Sequence, residues 1–229
     1  DRFYSYKHNK NDISTLSGDN VLSIYEDNEG IIWIGSKGAG INKKRSNKFV
    51  QYRNSPDVPT SLNGEGVWAV YKDKSGVVWV GTELGLNKLN RKTDEFILYS
   101  YDEKNPKSIS RGGVYCIFED KKGDFWIGTI DGGLSKMDRD KGTFKHYVNN
   151  PEFENSISYN YVRTIVEDEE GFLWIGTRGG GLNKFDKNKG TFKQFKHIPN
   201  NSNSLSHDRI NTMLLDKNGF LWIGTSSGG

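Results

Sequence analysis

The sequence predicts an all-β chain: a β-propeller of about five blade repeats, each about 47 residues long and built from four antiparallel strands, with the last blade incomplete. Three observations carry that reading. Trp33, Trp79, Trp126, Trp174 and Trp222 recur at spacings of 46, 47, 48 and 48 residues, inside IIWIGS, VVWVGT, DFWIGT, FLWIGT and FLWIGT. Between them lie short apolar or alternating runs broken by Gly and Asn, with no helical period of any length. The composition, 34% hydrophobic but 13% aromatic with 27 glycines, suits short strands and tight turns around a few large side chains. A lone four-stranded sheet cannot cover both faces, so neighbouring copies must stack. The near-continuous run Ile31, Ile32, Trp33, Ile34 places the second strand between two such neighbours. Radial stacking satisfies both demands, and a β-solenoid, whose coils carry shorter repeats, fits the period less well.

Each unit parses in the same order. The first strand is VLSIYED at Val21–Asp27, echoed by VWAVYKD, VYCIFED, VRTIVED and INTMLLD. A D-x-x-G turn follows, from Asp27 to Gly30, Asp73 to Gly76, Asp120 to Gly123, Asp168 to Gly171 and Asp216 to Gly219. Aspartate opens such a turn because its carboxylate accepts backbone N–H groups, and the glycine tolerates positive φ. The Trp strand, Ile31–Ser36 in the first unit, comes next, then a Gly-rich turn and a third strand (GINKK, GLNKL, GLSKM, GLNKF) expected at Gly40–Lys44. An alternating aromatic fourth strand, FVQY, FILY, FKHY and FKQF, is expected at Phe49–Arg53 and its counterparts. FYSY at Phe3–Tyr6 has the same pattern. The expected organisation is therefore a single propeller segment over 1–229: residues 1–20 hold a preceding fourth strand and a linker, blades run 21–66, 67–113, 114–161 and 162–209, and 210–229 is a partial blade.

Charge excludes some function classes. Thirty-two basic and 29 acidic residues are interspersed, giving a net charge of +3 without a basic run, so the concentrated field that nucleic acid requires is missing. Cys116 is the only cysteine, which rules out an intrachain disulfide and a cysteine-rich zinc site. No apolar run is long enough to span a membrane, so this segment itself is expected to make no membrane contact.

The unit LWIGTRGGGLNKF at Leu173–Phe185, with the D-x-x-G turn before it and the F-x-x-Y strand after it, resembles the two-component regulator propeller repeat. The resemblance covers nearly the whole chain. It implies part of an extracytoplasmic, periplasmic sensor region of a bacterial hybrid histidine kinase, a class that senses polysaccharide fragments. In that family a three-Tyr immunoglobulin-like module, a membrane helix and a kinase follow the propeller; none of these falls within the present residues. The implied role is ligand sensing without catalysis, and an oligosaccharide is the ligand class it suggests. A protein-interaction scaffold is the alternative, and a propeller-fold lyase or glycosidase the third.

Candidate chemistry is sparse. The D-x-x-G-x-x-W string serves a turn, and a tryptophan recurring once per blade reads as packing. The glycine clusters lack the G-K-[ST] ending of a phosphate loop. Cys116 falls in a column of small side chains with Ser23, Ala69, Thr164 and Thr212 and reads as packing too. His8, His146, His197 and His207 lack ligand spacing, so neither a metal nor a cofactor is expected. Ligand-specific residues should instead vary from blade to blade at loops on one face. One variable zone precedes the first strand (Gly18–Asn20, Gly64–Gly66, Arg111–Gly113, Tyr159–Tyr161, His207–Arg209) and includes that strand's second residue (Leu22, Trp68, Tyr115, Arg163, Asn211). The other follows the Trp strand: Lys37, Glu83, Asp131, Arg178 and Ser226. An antiparallel order places both at the same end of each blade. Trp68, Tyr115 and Tyr161 offer flat apolar faces there, and Arg163, Arg178 and His207 offer hydrogen bonds, a mixture that suits sugars. These six residues are the expected ligand site. Open blade edges are also expected to favour self-association.

Overall fold

The computed structural model describes residues 3–27 and 29–227. Residues 1–2 of the expected N-terminal stretch and 228–229 of the partial blade lie outside the described residues. Among those described, the chain is all β, without a helix. The first blade consists of β1 (Val21–Glu26), β2 (Ile32–Ser36), β3 (Gly40–Arg45) and β4 (Lys48–Tyr52). The second follows as β5 (Val67–Lys72), β6 (Val78–Thr82), β7 (Gly85–Asn90) and β8 (Glu95–Tyr99). The third contains β9 (Val114–Glu119), β10 (Phe125–Thr129), β11 (Leu134–Asp138) and β12 (Thr143–Tyr147). The fourth contains β13 (Val162–Glu167), β14 (Leu173–Thr177), β15 (Leu182–Asp186) and β16 (Thr191–Phe195), and the hairpin β17 (Ile210–Leu215) and β18 (Leu221–Thr225) begins a fifth. Every pairing is antiparallel between sequence neighbours, so each sheet is a meander, four strands wide in the first four blades and two in the fifth. These are the blades of a β-propeller. Two compact units divide them, Asp1–Ser100 and Tyr101–Gly229.

Within each unit the blades meet through their first strands: β1 adjoins β5, and β13 lies between β9 and β17. That close approach explains the glycine of the W-I/V-G motif. A Cβ on Gly35 would stand 2.6 Å from a methyl of Val67, one on Gly128 2.6 Å from Val162, and one on Gly176 2.6 Å from Ile210, each the first residue of the next blade's first strand. The same glycines pair with Ser23, Cys116 and Thr164, which accounts for the column of small side chains.

The D-x-x-G turns form as expected, with positive φ at Gly30, Gly76, Gly123, Gly171 and Gly219. Asp27 Oδ1 accepts the N–H of Glu29 and of Ile31. Its other oxygen has a partner that the turn alone does not require: the indole N–H of Trp33 donates to Asp27 Oδ2 at 3.1 Å. The bond repeats at Trp79–Asp73 (2.8 Å), Trp126–Asp120 (3.0 Å), Trp174–Asp168 (2.9 Å) and Trp222–Asp216 (2.9 Å). The motif therefore locks the strand-one-to-strand-two hairpin to its own core tryptophan.

Trp33, Trp79 and Trp126 are at most 1% exposed, but Trp222 is 63% exposed. The expectation that the repeated tryptophan is a packing residue thus fails at Trp222, and Trp174 is only half-buried. In earlier blades a fourth-strand aromatic covers the indole, as in Trp33–Tyr52, Trp126–Tyr147 and Trp174–Phe195, and a third-strand lysine lies over it. Among the described residues the fifth blade contributes neither. The following blade adds the rest of the cover: Trp126 packs with Ile165, Leu173, Ile175 and Phe185.

Residues 3–7 belong to no strand, since a fourth strand needs a third beside it and none of the described residues supplies one. Tyr6 nevertheless meets Phe49 edge-on at 5.5 Å, the contact that Tyr52 makes with Phe96 and Tyr147 with Phe192. His8 and His197 hold the connections that follow: each Nδ1–H donates to the carbonyl of residue 16 or 205 at 2.7 Å.

Candidate functional site

Each third strand carries a buried polar residue that secures the loop leading to its own blade's first strand. Asn42 Oδ1 accepts the N–H of Ser17, and Asn183 that of Ser158. Blade three has Ser135 here, and the shorter side chain is completed by His146 from the adjacent β12 position, 2.9 Å away. Burial pushes His146 below its ordinary pKa, with the carbonyls of Ser108 and Pro106 pulling the other way. The histidine that departs from the repeat is thus a structural substitute.

The two variable zones do meet at one end of each blade. The N–H of Arg178 donates to the carbonyl of Tyr161 (3.0 Å), Lys37 to Asn20 (2.8 Å) and Ser226 to Arg209 (3.0 Å). In blade three the residue in this position is Ile130, bonded to Gly113, so Asp131 stands one residue further along the loop. Successive blades are stapled at the same end by Gly133 N–H to Asn160 and Gly181 N–H to Asp208, both 2.9 Å. These backbone groups are thus paired to one another.

In the second unit four of the six expected site residues converge. Arg163 donates to the Tyr115 hydroxyl at 2.7 Å and to Asn211 Oδ1 at 2.6 Å, bridging three successive first strands. Its guanidinium carbon lies 5.0 Å from the Tyr115 ring centroid, and that of Arg178 lies 5.0 Å from Tyr161. The Tyr115 and Tyr161 rings meet edge-on at 5.4 Å. Burial raises the Tyr161 phenol, with the Tyr115 hydroxyl adding to this and the two arginines opposing it. Asn211, which sequence variation marks in the same column as Arg163, proves to be that arginine's second anchor. His207 is occupied locally, its Nδ1 accepting the N–H of Arg209 at 2.8 Å. Trp68 belongs to the first unit, where it is half-buried on β5. In that unit the loop positions equivalent to Arg178 are Lys37 in blade one and Glu83 in blade two, and the Glu83 carboxylate accepts the N–H of Glu65 and Gly66 at 3.0 and 2.8 Å.

Cys116 does not contribute. Although the residue as a whole is half-buried, its sulfur lies against Gly128, where a Cβ would come within 2.4 Å of it, and burial pushes the thiol up to about 12. Among the described residues no group of three His, Cys, Asp or Glu side chains is placed to hold a metal ion, and no helix is long and apolar enough to cross a membrane.

Stacked blades with recurring turns and one end that varies from blade to blade define a repeat propeller. The chain belongs to the two component regulator propeller family: the repeat matches at residues 15–38, 61–83, 108–131, 156–179 and 204–227, together just over half of the chain. No curated relative matches it. Among solved structures it is similar to the extracellular domain of the B. thetaiotaomicron hybrid two-component system BT3049, with TM-score 0.72 and 24% identity over 100% of this chain and 35% of that one. The corresponding domain of BT4673 from the same organism gives TM-score 0.71 and 22% identity over 90% and 28%. A catalytically inactive virginiamycin B lyase from Staphylococcus aureus gives TM-score 0.64 at 18% identity over 96% and 66%. The chain thus spans about a third of the length of the two extracellular domains, and these likenesses establish the fold.

Proposed function

We propose that this chain is a ligand-sensing segment of an extracytoplasmic two-component receptor, that it binds an oligosaccharide at the variable end of its blades, and that it has no catalytic machinery of its own. The observation that carries the reading is the side-chain cluster of Tyr115, Tyr161, Arg163 and Arg178 at that end, set in a scaffold whose other recurring polar groups are engaged in turns and blade contacts. Membership in the two component regulator propeller family and the likeness to extracellular domains of hybrid two-component systems support the sensor role. Flat rings beside hydrogen-bonding cations suit the apolar C–H faces and hydroxyls of a sugar. A glycan panel read by calorimetry and thermal shift tests this. Saturable binding of an oligosaccharide without turnover supports it; turnover of the bound glycan would replace the sensor with an enzyme.

A second reading rests on a different surface. Leu214, Phe220 and Trp222 of the fifth blade are each more than 60% exposed, and β18 has one unpaired edge among the described residues. Such a surface favours association between chains. Light scattering across a concentration series tests it, and a monomer at every concentration refutes it.

A further inference from the structure

We infer that the Arg163 cluster of the second unit takes an anionic group, a carboxylate or a sulfate, of the ligand; this rests on the oligosaccharide reading and narrows it to acidic sugars. The case begins with how cations are handled elsewhere in the molecule. Lys187 sits between Asp120 and Glu167 at 2.6 and 2.7 Å, Arg139 meets Glu119 at 2.8 Å, and Arg91 meets Glu29 at 3.0 Å. Each of these blade-edge cations is neutralised by a carboxylate of its own surroundings.

Arg163 is held differently. Both of its terminal nitrogens donate to neutral oxygens, those of Tyr115 and Asn211, and its Nε is buried without a partner. Arg209, at the position in blade five that Tyr161 holds in blade four, likewise has a buried Nε without a partner. Among the described residues no carboxylate lies within ion-pairing distance of Arg163, Arg178 or Arg209. Asp208, the neighbour of Arg209 in sequence, accepts the N–H of His197 through Oδ1 at 2.6 Å. The cluster therefore carries positive charge that the protein leaves uncompensated, partly removed from water, beside two tyrosine rings.

A half-buried guanidinium without a counter-ion has already lost part of its hydration, so an arriving anion meets a reduced desolvation cost and a strong charge-assisted bond. Arg163 is also preorganised: its two anchors fix the guanidinium plane before any ligand arrives, which lowers the ordering entropy lost on binding. In the first unit the equivalent position holds Lys37 in blade one and Glu83 in blade two, and the Glu83 carboxylate is taken up by loop N–H groups. An acidic sugar matches both halves of the cluster, its charge directed to Arg163 and Arg178 and its ring face to Tyr115 and Tyr161.

The test is calorimetric titration of the chain with uronate-containing and sulfated oligosaccharides, each beside its neutral methyl-esterified or desulfated form. At least one acidic member should bind, its neutral form at least tenfold more weakly, and Arg163→Gln should reduce the acidic member to the neutral level. Arg178→Gln, at an exposed position, should act in the same direction and serves if the first variant fails to fold. Neutral glycans bound as tightly as acidic ones would overturn the anion assignment while leaving the sensing role standing. Acidic binding that survives both substitutions would overturn it as well. Failure of every glycan, acidic and neutral, would remove both.

Discussion

Trp126 and Trp222 occupy the same position in their repeats and make the same hydrogen bond, yet they should differ sharply in what their removal costs. Trp126 is 1% exposed, in contact with Tyr147 and Phe185 at 6.1 and 5.6 Å and donating to Asp120. Trp126→Ala removes nearly all of that burial, leaves a cavity between two blades and strips a partner from a buried carboxylate. The expected loss is about 3–5 kcal/mol, the range for a large aromatic deleted from a core. Trp222, 63% exposed, has little burial to lose, so Trp222→Ala should cost on the order of 1 kcal/mol, chiefly the bond to Asp216. For a folding unit of this size the difference corresponds to roughly 5–15 °C in melting temperature. Differential scanning calorimetry of both variants beside the parent chain measures it. Equal losses, or a larger one at Trp222, would refute the claim that neighbouring strands and blades, not the hairpin motif, supply the tryptophan's contribution.

Three further outcomes follow from the same contacts. Lys187→Ala should destabilise the second unit by about 3 kcal/mol in urea titration, because it leaves Asp120 and Glu167 buried without their cation. Burial raises the Asp120 carboxyl, but the bonds from Lys187, Trp126 and the N–H of Asp124 outweigh it and hold the group below the ordinary range in the parent chain. His146 has a folded pKa below its ordinary 6.5, so the unfolded chain takes up the proton first as pH falls. Its stabilising effect is therefore complete above about 6.5 and declines below it; a melting series from pH 7.5 to 5 should show this, and His146→Gln should flatten the slope. Cys116, its thiol pushed up to about 12, should resist a disulfide reagent at pH 8 in the folded chain and react fully in urea.

The architecture is legible because the repeat states it five times. A period near 47, the D-x-x-G turn and the apolar second strand fix the strand order, and observed strand ends fall within about a residue of the expected ones. The variable end was likewise legible, since an antiparallel meander leaves no other arrangement of the two zones. Less readable were features in which one repeated residue answers another across the fold. The Asp–Trp bond joins two positions that are both invariant here, so no variation links them. Ser135 and His146 do vary together, against Asn and a non-histidine in the other blades, and that pairing was open to recognition in the sequence. The bridge from Tyr115 through Arg163 to Asn211 was not, because it depends on rotamers across three blades. Trp222 was misjudged because burial belongs to the assembled neighbours, which a motif does not encode.

The central claim is that the scaffold faces and the variable end do separate work, and hydrogen–deuterium exchange with and without a bound oligosaccharide tests it most directly. Binding should slow exchange in the loops at residues 158–163, 178–181 and 207–211, leaving the D-x-x-G turns at 168–171 and 216–219 and the fourth strands β12 and β16 unchanged. Protection concentrated at those turns or outer strands, with the loops around Arg163 unaffected, would contradict the assignment of the binding face.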